Sequence, residues 1–502
     1  MAASLSLAAI PLPAWSANAG PPLGPAVPFS FDGLKARAAK AARQPYVPPT
    51  PAPRLDALDY DAIGQVQYRP DMTLWGDLPG DAAVRLFHLG RYARRPVKIH
   101  VVDGRRAREV LYAESLFDVT DPAIAKDLAA ESGFAGFRAM NRDQRTDWLA
   151  FQGASYFRAA DPFNQYGLSA RGLAINTATV GPESFPDFTQ FWLERDPPGQ
   201  LTVYALLEGD EVTGAYRIAH RRGPAGLVQD ISCDLFFREP VERLGIAPLT
   251  SMFWYGENTP SAAQDWRPEI HDSDGLAIWT GAGERIWRPL VDPPRVVTNS
   301  FADHSPRGFG LMQRDRQFDH YQDDGVFYDR RPSAWVEPIG DWGPGSVQLV
   351  EIPTDDETND NVVAFWSPAN PVRGGDALSF RYRLSWIGDD PGNSFVARVV
   401  STRTGPGGRP GQARPPHVKK LVVDFEGGGL AGLSRESGVE PVVSAERGRI
   451  ESAVAYPVVG TDRWRLMIDV TLLDADSADL RAWLRRGGAA LSETWTYQIF
   501  SR

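Results

Sequence analysis

A single cysteine, Cys233, stands among 502 residues. One thiol can form neither an intramolecular disulfide nor a thiolate metal cluster. Its setting, Asp230-Ile231-Ser232-Cys233-Asp234-Leu235-Phe236-Phe237, reads as a small buried hydrophobe on a strand. Thiol catalysis would need a paired base, and the sequence offers no sign of one. No run reaches about 18 consecutive apolar residues, so no membrane-spanning helix is expected. The formal net charge is −10 and no Lys/Arg stripe is interleaved with aromatics, which speaks against nucleic acid. A neutral polymer fits that charge better than an acidic one. There is no Gly-x-Ser-x-Gly elbow and no His-Glu-x-x-His pattern. Arg307-Gly308-Phe309-Gly310 precedes no helix with a Lys-Ser/Thr start, and reads as a tight turn rather than a phosphate cradle. No repeat of fixed period is present, which disfavours a propeller or solenoid.

Residues 1–27 carry no charged side chain, and Ala17-Asn18-Ala19 fits a small-x-small cleavage site before Gly20. The segment is read as a leader, although the usual basic n-region is missing; a start placed too far downstream would account for that. Phe31-Asp32-Gly33-Leu34 opens a helical stretch to Arg43, with Asp32 as the expected cap. Five prolines from Pro45 to Pro53 then impose an extended connector. From Tyr68 to about Ile387 the pattern is one of short strands, including Val84–Leu89, Val97–Val102 and Leu201–Leu207. A hairpin turn is expected at Gly209-Asp210. Glycine (47) and proline (42) are abundant, as many tight turns require. Helical pieces are expected only at 122–132, 146–153 and 240–245.

The expected fold is therefore all-β. A large N-terminal antiparallel β-sandwich spans 28–388, a linker 389–394, and an immunoglobulin-like β-sandwich 395–502. Short strands such as Ala453–Val458, Trp464–Val470 and Thr494–Phe500 carry the second assignment.

Chemistry concentrates between His271 and Trp366. Seven of the fifteen tryptophans fall within 254–366, where a uniform spread would place about three. Core packing explains most single tryptophans, but the enrichment suits a groove with flat faces for sugar rings. Acids cluster there too: Asp272, Asp274, Asp315, Asp323, Asp324, Asp329, Glu357 and Asp360. Glycoside hydrolysis needs one carboxylic acid for the leaving oxygen and a second carboxylate for water or the anomeric carbon. Most loop acids are solvated or capping residues, and spacing alone does not choose a pair. His271 with Asp272 and Asp274, or His304 with His320, could seed a metal site, but no motif supports one, so neither metal nor cofactor is expected.

Several long phrases carry a resemblance. They are His271-Asp272-Ser273-Asp274-Gly275-Leu276, Pro306-Arg307-Gly308-Phe309-Gly310-Leu311, Gln313-Arg314-Asp315-Arg316 and Phe318-Asp319-His320-Tyr321-Gln322-Asp323-Asp324-Gly325. Gly345-Ser346-Val347-Gln348-Leu349-Val350-Glu351-Ile352-Pro353 and Val423-Asp424-Phe425-Glu426-Gly427-Gly428 complete them. The chain resembles the glucans biosynthesis protein G/D family from about Phe29 to its end, and the D type more closely.

The resemblance implies a galactose-mutarotase-like sandwich with a cleft, followed by an immunoglobulin-like domain. It implies a periplasmic protein that controls the glucose backbone of osmoregulated periplasmic glucans, as an anomer-inverting, endo-acting β-1,2-glucan hydrolase or transglycosylase. Asp360 matches the general acid and Asp272 the general base, with protons travelling through substrate hydroxyls and water. Tyr328 and Glu357 match groove residues. Arg314, His320 and Trp342 (in Asp341-Trp342-Gly343-Pro344-Gly345) are taken as further sugar-binding candidates. The expected partners are linear β-1,2-glucan and a membrane glucan synthase. The alternative is a non-catalytic glucan-binding or assembly factor working beside that synthase.

Overall fold

The computed structural model of the chain describes residues 20–501, apart from 53–54, 56–57, 122–123, 125–132, 198, 392–394, 410, 416 and 474–475. The first nineteen residues of the expected leader, nearly all of the helical piece at 122–132 and the end of the linker lie outside the described residues. The folded body takes in part of the expected leader, because Val27–Pro28 pairs with Arg106–Glu109, and Leu111 N–H donates to Pro22 C=O.

Strands dominate and pair almost entirely antiparallel. A sixteen-stranded sheet and a ten-stranded sheet carry most of them, and one core joins the two. Phe137, Leu149, Phe151 and Phe157 of the smaller sheet meet Phe188, Phe191 and Leu193 of the larger there. The Gly209-Asp210 hairpin forms as expected, with Gly209 N–H donating to Val212 C=O between strands Gln200–Glu208 and Val212–Gly223. Cys233 is buried on strand Gly226–Phe237, and burial pushes its thiol up to about 12, which makes it chemically inert.

The entry helix runs Phe31–Ala41. Ser30, not Asp32, is its cap: its hydroxyl accepts from Gly33 N–H at 3.1 Å. Asp32 instead sits in the first turn, where its charge favours the helix dipole. Two expected helical pieces are strands. Residues 146–153 contain Asp147–Gln152, whose Trp148 and Phe151 enter the core from inside the ten-stranded sheet. Residues 240–245 lead into Leu244–Ser251, buried along its whole length. A short apolar run has no periodicity to separate helix from a strand covered on both faces.

The C-terminal residues form a four-stranded sheet (Arg398–Pro406, Val418–Glu426, Arg463–Leu472, Gly448–Pro457) packed over strands Thr494–Phe500, Ser477–Arg486 and Glu440–Glu446. Trp464, Ile468, Leu480 and Trp495 fill the space between these layers. Thr494–Phe500 also continues the sixteen-stranded sheet, pairing in parallel with Arg285–Pro289 through Ile286↔Thr494 and Trp287↔Trp495.

Candidate active site

Residues 250–253 are the bracket on which the site is built. Thr250 Oγ1 accepts from Arg171 Nε at 2.9 Å, and the Ser251 and Ser273 hydroxyls are 2.9 Å apart. Met252 C=O accepts Asp272 N–H at 2.9 Å. Phe253 uses both backbone groups on the Asn361 amide, at 2.8 and 2.9 Å. One short segment thus fixes two loops, 272–274 and 352–361, that are remote in sequence. The second loop is tied further by Asn361 Nδ2 to Ile352 C=O, and by Asp356, which accepts from Thr358 N–H and Oγ1.

Asp272 is buried, and Arg331 Nε lies 3.5 Å from its Oδ1. Burial raises its pKa, while the charges of Arg331, His271 and Arg158 work against that rise. Asp360 stands at the groove surface, open to solvent yet crowded by protein. That crowding, reinforced by the charge of Asp272, pushes its pKa up to about 6, with Arg171 and Arg158 opposing. The two carboxyls therefore feel each other, and Arg158 acts on both.

Beside them runs a groove on the outer face of the ten-stranded sheet. Strand Tyr156–Ala159 alternates, sending Phe157 and Ala159 into the core and Tyr156 and Arg158 outward. Tyr156, Arg158, Tyr166, Gln152 and Arg138 line a cavity of about 420 Å³. A neighbouring cavity of about 290 Å³ shares Gln152 and Tyr156 and adds Tyr92 and Phe185. Arg171 stacks on Tyr156, and Arg158 on Tyr166, at 5.0 and 4.6 Å from the ring centres. Tyrosine faces with polar and cationic side chains between them are the lining a neutral, hydroxylated polymer requires.

Tyr328 and Glu357 are joined by a 2.5 Å hydrogen bond from the phenol to the carboxylate. Arg267 grips Glu357 with two nitrogens, at 2.9 and 3.0 Å, and also holds Asp265 and Asp323. Burial and the hydrogen bond to Glu357 hold the Tyr328 phenol far above its ordinary pKa, so it remains a donor. The Tyr328 ring also lies 5.0 Å from the Arg331 guanidinium, the partner of Asp272. Tyr328, Glu357 and Asp272 are thereby one assembly.

Arg314, His320 and Trp342 are placed elsewhere. The Arg314 side chain is enclosed, paired with Glu493 and Asp390 at 2.9 and 2.5 Å and stacked on Trp287, so it fastens the C-terminal strands to the large body. Trp342 packs against Trp366, Phe380 and Tyr382 and donates to Arg381 C=O, which makes it core. Trp287, Trp335 and Trp366 are buried as well, whereas Trp254 and Trp279 are half-buried and Trp266, beside Arg267, is exposed. His320 is half-buried and bonds Asp315.

Among the described residues, Glu269, Asp315 and His320 bring ligand atoms within 4.8 Å and could hold a cation, but each is already engaged. Glu269 holds His271 at 3.0 Å, and this bond raises the imidazole's pKa against the effect of burial. The other ring nitrogen meets Gln313 Oε1, whose amide nitrogen binds His271 C=O, Tyr321 Oη and Tyr328 C=O. This buried network fixes His271, the residue before Asp272.

Asp324 is exposed, and the other acids contact the protein. Asp274 caps Arg314 and Asp315 N–H groups, Asp323 caps Gly325 and Val326 N–H groups, and Asp329 lies 3.7 Å from Arg330. Tyr156, Arg158, Arg171, Arg267 and Arg331 were missing from the sequence reading. The period-2 alternation of Tyr156–Ala159 was the one local signal available for the first two.

A family profile described as "Periplasmic glucan biosynthesis protein, MdoG" matches residues 29–499. Glucans biosynthesis protein D 2 of Ralstonia nicotianae is 49% identical over 495 residues, covering 95% of this chain and 91% of that one. Glucans biosynthesis protein D of Stenotrophomonas maltophilia is 48% identical over 516 residues, covering 99% and 96%. The protein of that name from Xanthomonas oryzae pv. oryzae is 47% identical over 517 residues, again covering 99% and 96%.

Proposed function

Since the chain belongs to the periplasmic glucan biosynthesis protein family, we propose that it cuts or transfers β-1,2-glucan chains in the periplasm, with Asp360 as acid and Asp272 as base. The observation that carries this reading is Asp360 itself. It is a solvent-reachable carboxyl with a pKa pushed up to about 6, beside a tyrosine-lined groove and under the field of a second buried carboxyl. A general acid must hold a proton near working pH and be able to release it, and a pKa close to that pH serves both needs.

In the proposed step Asp360 gives its proton toward the glycosidic oxygen through a substrate hydroxyl, and the bond from that oxygen to the anomeric carbon breaks. A water attacks the opposite face of the sugar and its proton passes to Asp272. Attack from the opposite face inverts the anomeric centre. If a sugar hydroxyl replaces water, the same balance makes a new α-linkage, and a hydroxyl of the same chain closes a ring. Tyr328 and Glu357 position the substrate, and Arg158 tempers both carboxyls. Among the described residues no helix is long and apolar enough to cross a membrane.

Incubating the purified protein with linear β-1,2-glucan and following product size tests this. Shortened linear chains indicate hydrolysis, and cyclic products with an α-linkage indicate transfer. Unchanged glucan at high protein concentration would reject catalysis in favour of a binding or assembly role.

A further inference from the structure

Trp266 is 71% exposed, whereas the other described tryptophans are buried or half-buried. An indole left in water forgoes the burial that ordinarily places this side chain in a core or an interface. Its backbone is nevertheless held firmly. Asp265, the residue before it, accepts from the N–H of Arg267, the residue after it, at 3.1 Å. The same carboxylate accepts from the Arg267 guanidinium at 3.3 and 2.8 Å. Tyr255 Oη donates to Arg267 C=O at 3.1 Å. Tyr255 lies on strand Phe253–Tyr255, which pairs with Ile270–His271, so the loop carrying Trp266 is rooted beside Asp272.

Arg267 is buried, and its guanidinium carbon lies 6.0 Å from the centre of the Trp266 ring. The same guanidinium binds Glu357 at 2.9 and 3.0 Å, and the Glu357 side chain is still 33% exposed. One fixed cation thus sets a bare aromatic face close to a reachable carboxylate. From that carboxylate a line of contacts leads through Tyr328 and Arg331 to Asp272.

This pairing selects among ligands. A pyranose ring offers an apolar C–H face to an indole and hydroxyl donors at its edge to a carboxylate. An anion would face the carboxylates of Asp265, Asp323 and Glu357, all gathered on the single guanidinium of Arg267. A protein partner would call for a broad apolar patch, whereas Trp266 is flanked by the charged Asp265 and Arg267.

We propose that Trp266 is a platform on which one glucosyl unit of the polymer stacks while Glu357 accepts its hydroxyls. The inference rests on the glucan reading of the groove. The chain is then gripped by two sets of contacts, one reaching the acids from Arg158 and the tyrosines, the other from Trp266 and Glu357. Two grips fix which bond of a linear polymer lies over the acids, and an endo-acting site needs that register.

The test measures turnover of linear β-1,2-glucan by the full chain carrying Trp266→Ala or Trp266→Phe beside the parent. Trp266→Ala should raise KM about tenfold with a much smaller change in kcat, as loss of one stacked ring implies. Trp266→Phe should recover most of the affinity, and circular dichroism should show both variants folded because the side chain is exposed. A second measurement needs no turnover. In Asp360→Asn, linear β-1,2-gluco-oligosaccharide should shield the exposed indole from acrylamide quenching, and adding Trp266→Phe should remove that shielding. An unchanged KM in Trp266→Ala, or oligosaccharide binding with no shielding that Trp266→Phe removes, overturns this inference alone. A parent that neither cleaves nor binds the glucan overturns the glucan reading and this inference with it.

Discussion

Asp360 joins two properties that usually oppose each other: access for a substrate and enough crowding to retain a proton. The pKa of about 6 against an ordinary 3.8 means that the folded state binds more protons than the unfolded one between those values. Stability contributed by this group is therefore lost as pH rises through about 4 to 6. Asp360→Asn should melt above the parent at pH 8 and level with it near pH 4; thermal melts at the two pH values check this. Activity should follow the same proton, with kcat/KM falling about tenfold per unit above pH 6, as a pH–rate profile would show. Composition exposed a surplus of acids here and could not rank them; matching phrases singled out Asp272 and Asp360. The arginines that tune them were not legible, because their roles depend on strands that meet only after folding.

At the scale of elements, the acid loop is only as well placed as its anchors. Asn361 satisfies both backbone groups of Phe253 and the carbonyl of Ile352, and it is 2% exposed. Asn361→Ala should cost about 1–3 kcal/mol in denaturant unfolding by leaving buried backbone groups unpaired. It should also lower kcat through displacement of Asp360, although no substrate contact is removed. Arg267→Ala strands Asp323 beside Glu357 and should be as damaging to the loop, with a rise in KM if Glu357 orients the sugar. Much of the strand pattern could be read from the sequence, since alternation and turn residues are local signals. Residues 146–153 escaped it: Asp147–Gln152 is buried along most of its length, and an apolar run without alternation resembles a buried helix.

On the scale of the whole molecule, the C-terminal strands are built into the large body. A two-residue parallel pairing continues one sheet into the other, and Arg314 bolts the junction through Glu493 and Asp390. Arg314→Ala leaves Glu493 buried without its cation, so a loss of about 3–5 kcal/mol is expected. Glucan affinity of the folded protein should stay unchanged, because the side chain is remote from the groove; a joint role in sugar binding would appear as a raised KM. Such long-range pairing leaves no mark in local sequence. The tryptophans show the same limit, for four of the seven clustered ones, Trp287, Trp335, Trp342 and Trp366, are core where a sugar platform was expected.

The central claim is that Asp360 supplies the proton for breaking a β-1,2-glucosidic bond. The most direct measurement is the turnover of linear β-1,2-glucan by Asp360→Asn beside the parent protein, with circular dichroism confirming that both are folded. The account requires a loss of at least about 10²-fold in kcat with binding retained. Near-parental turnover in the variant would contradict it.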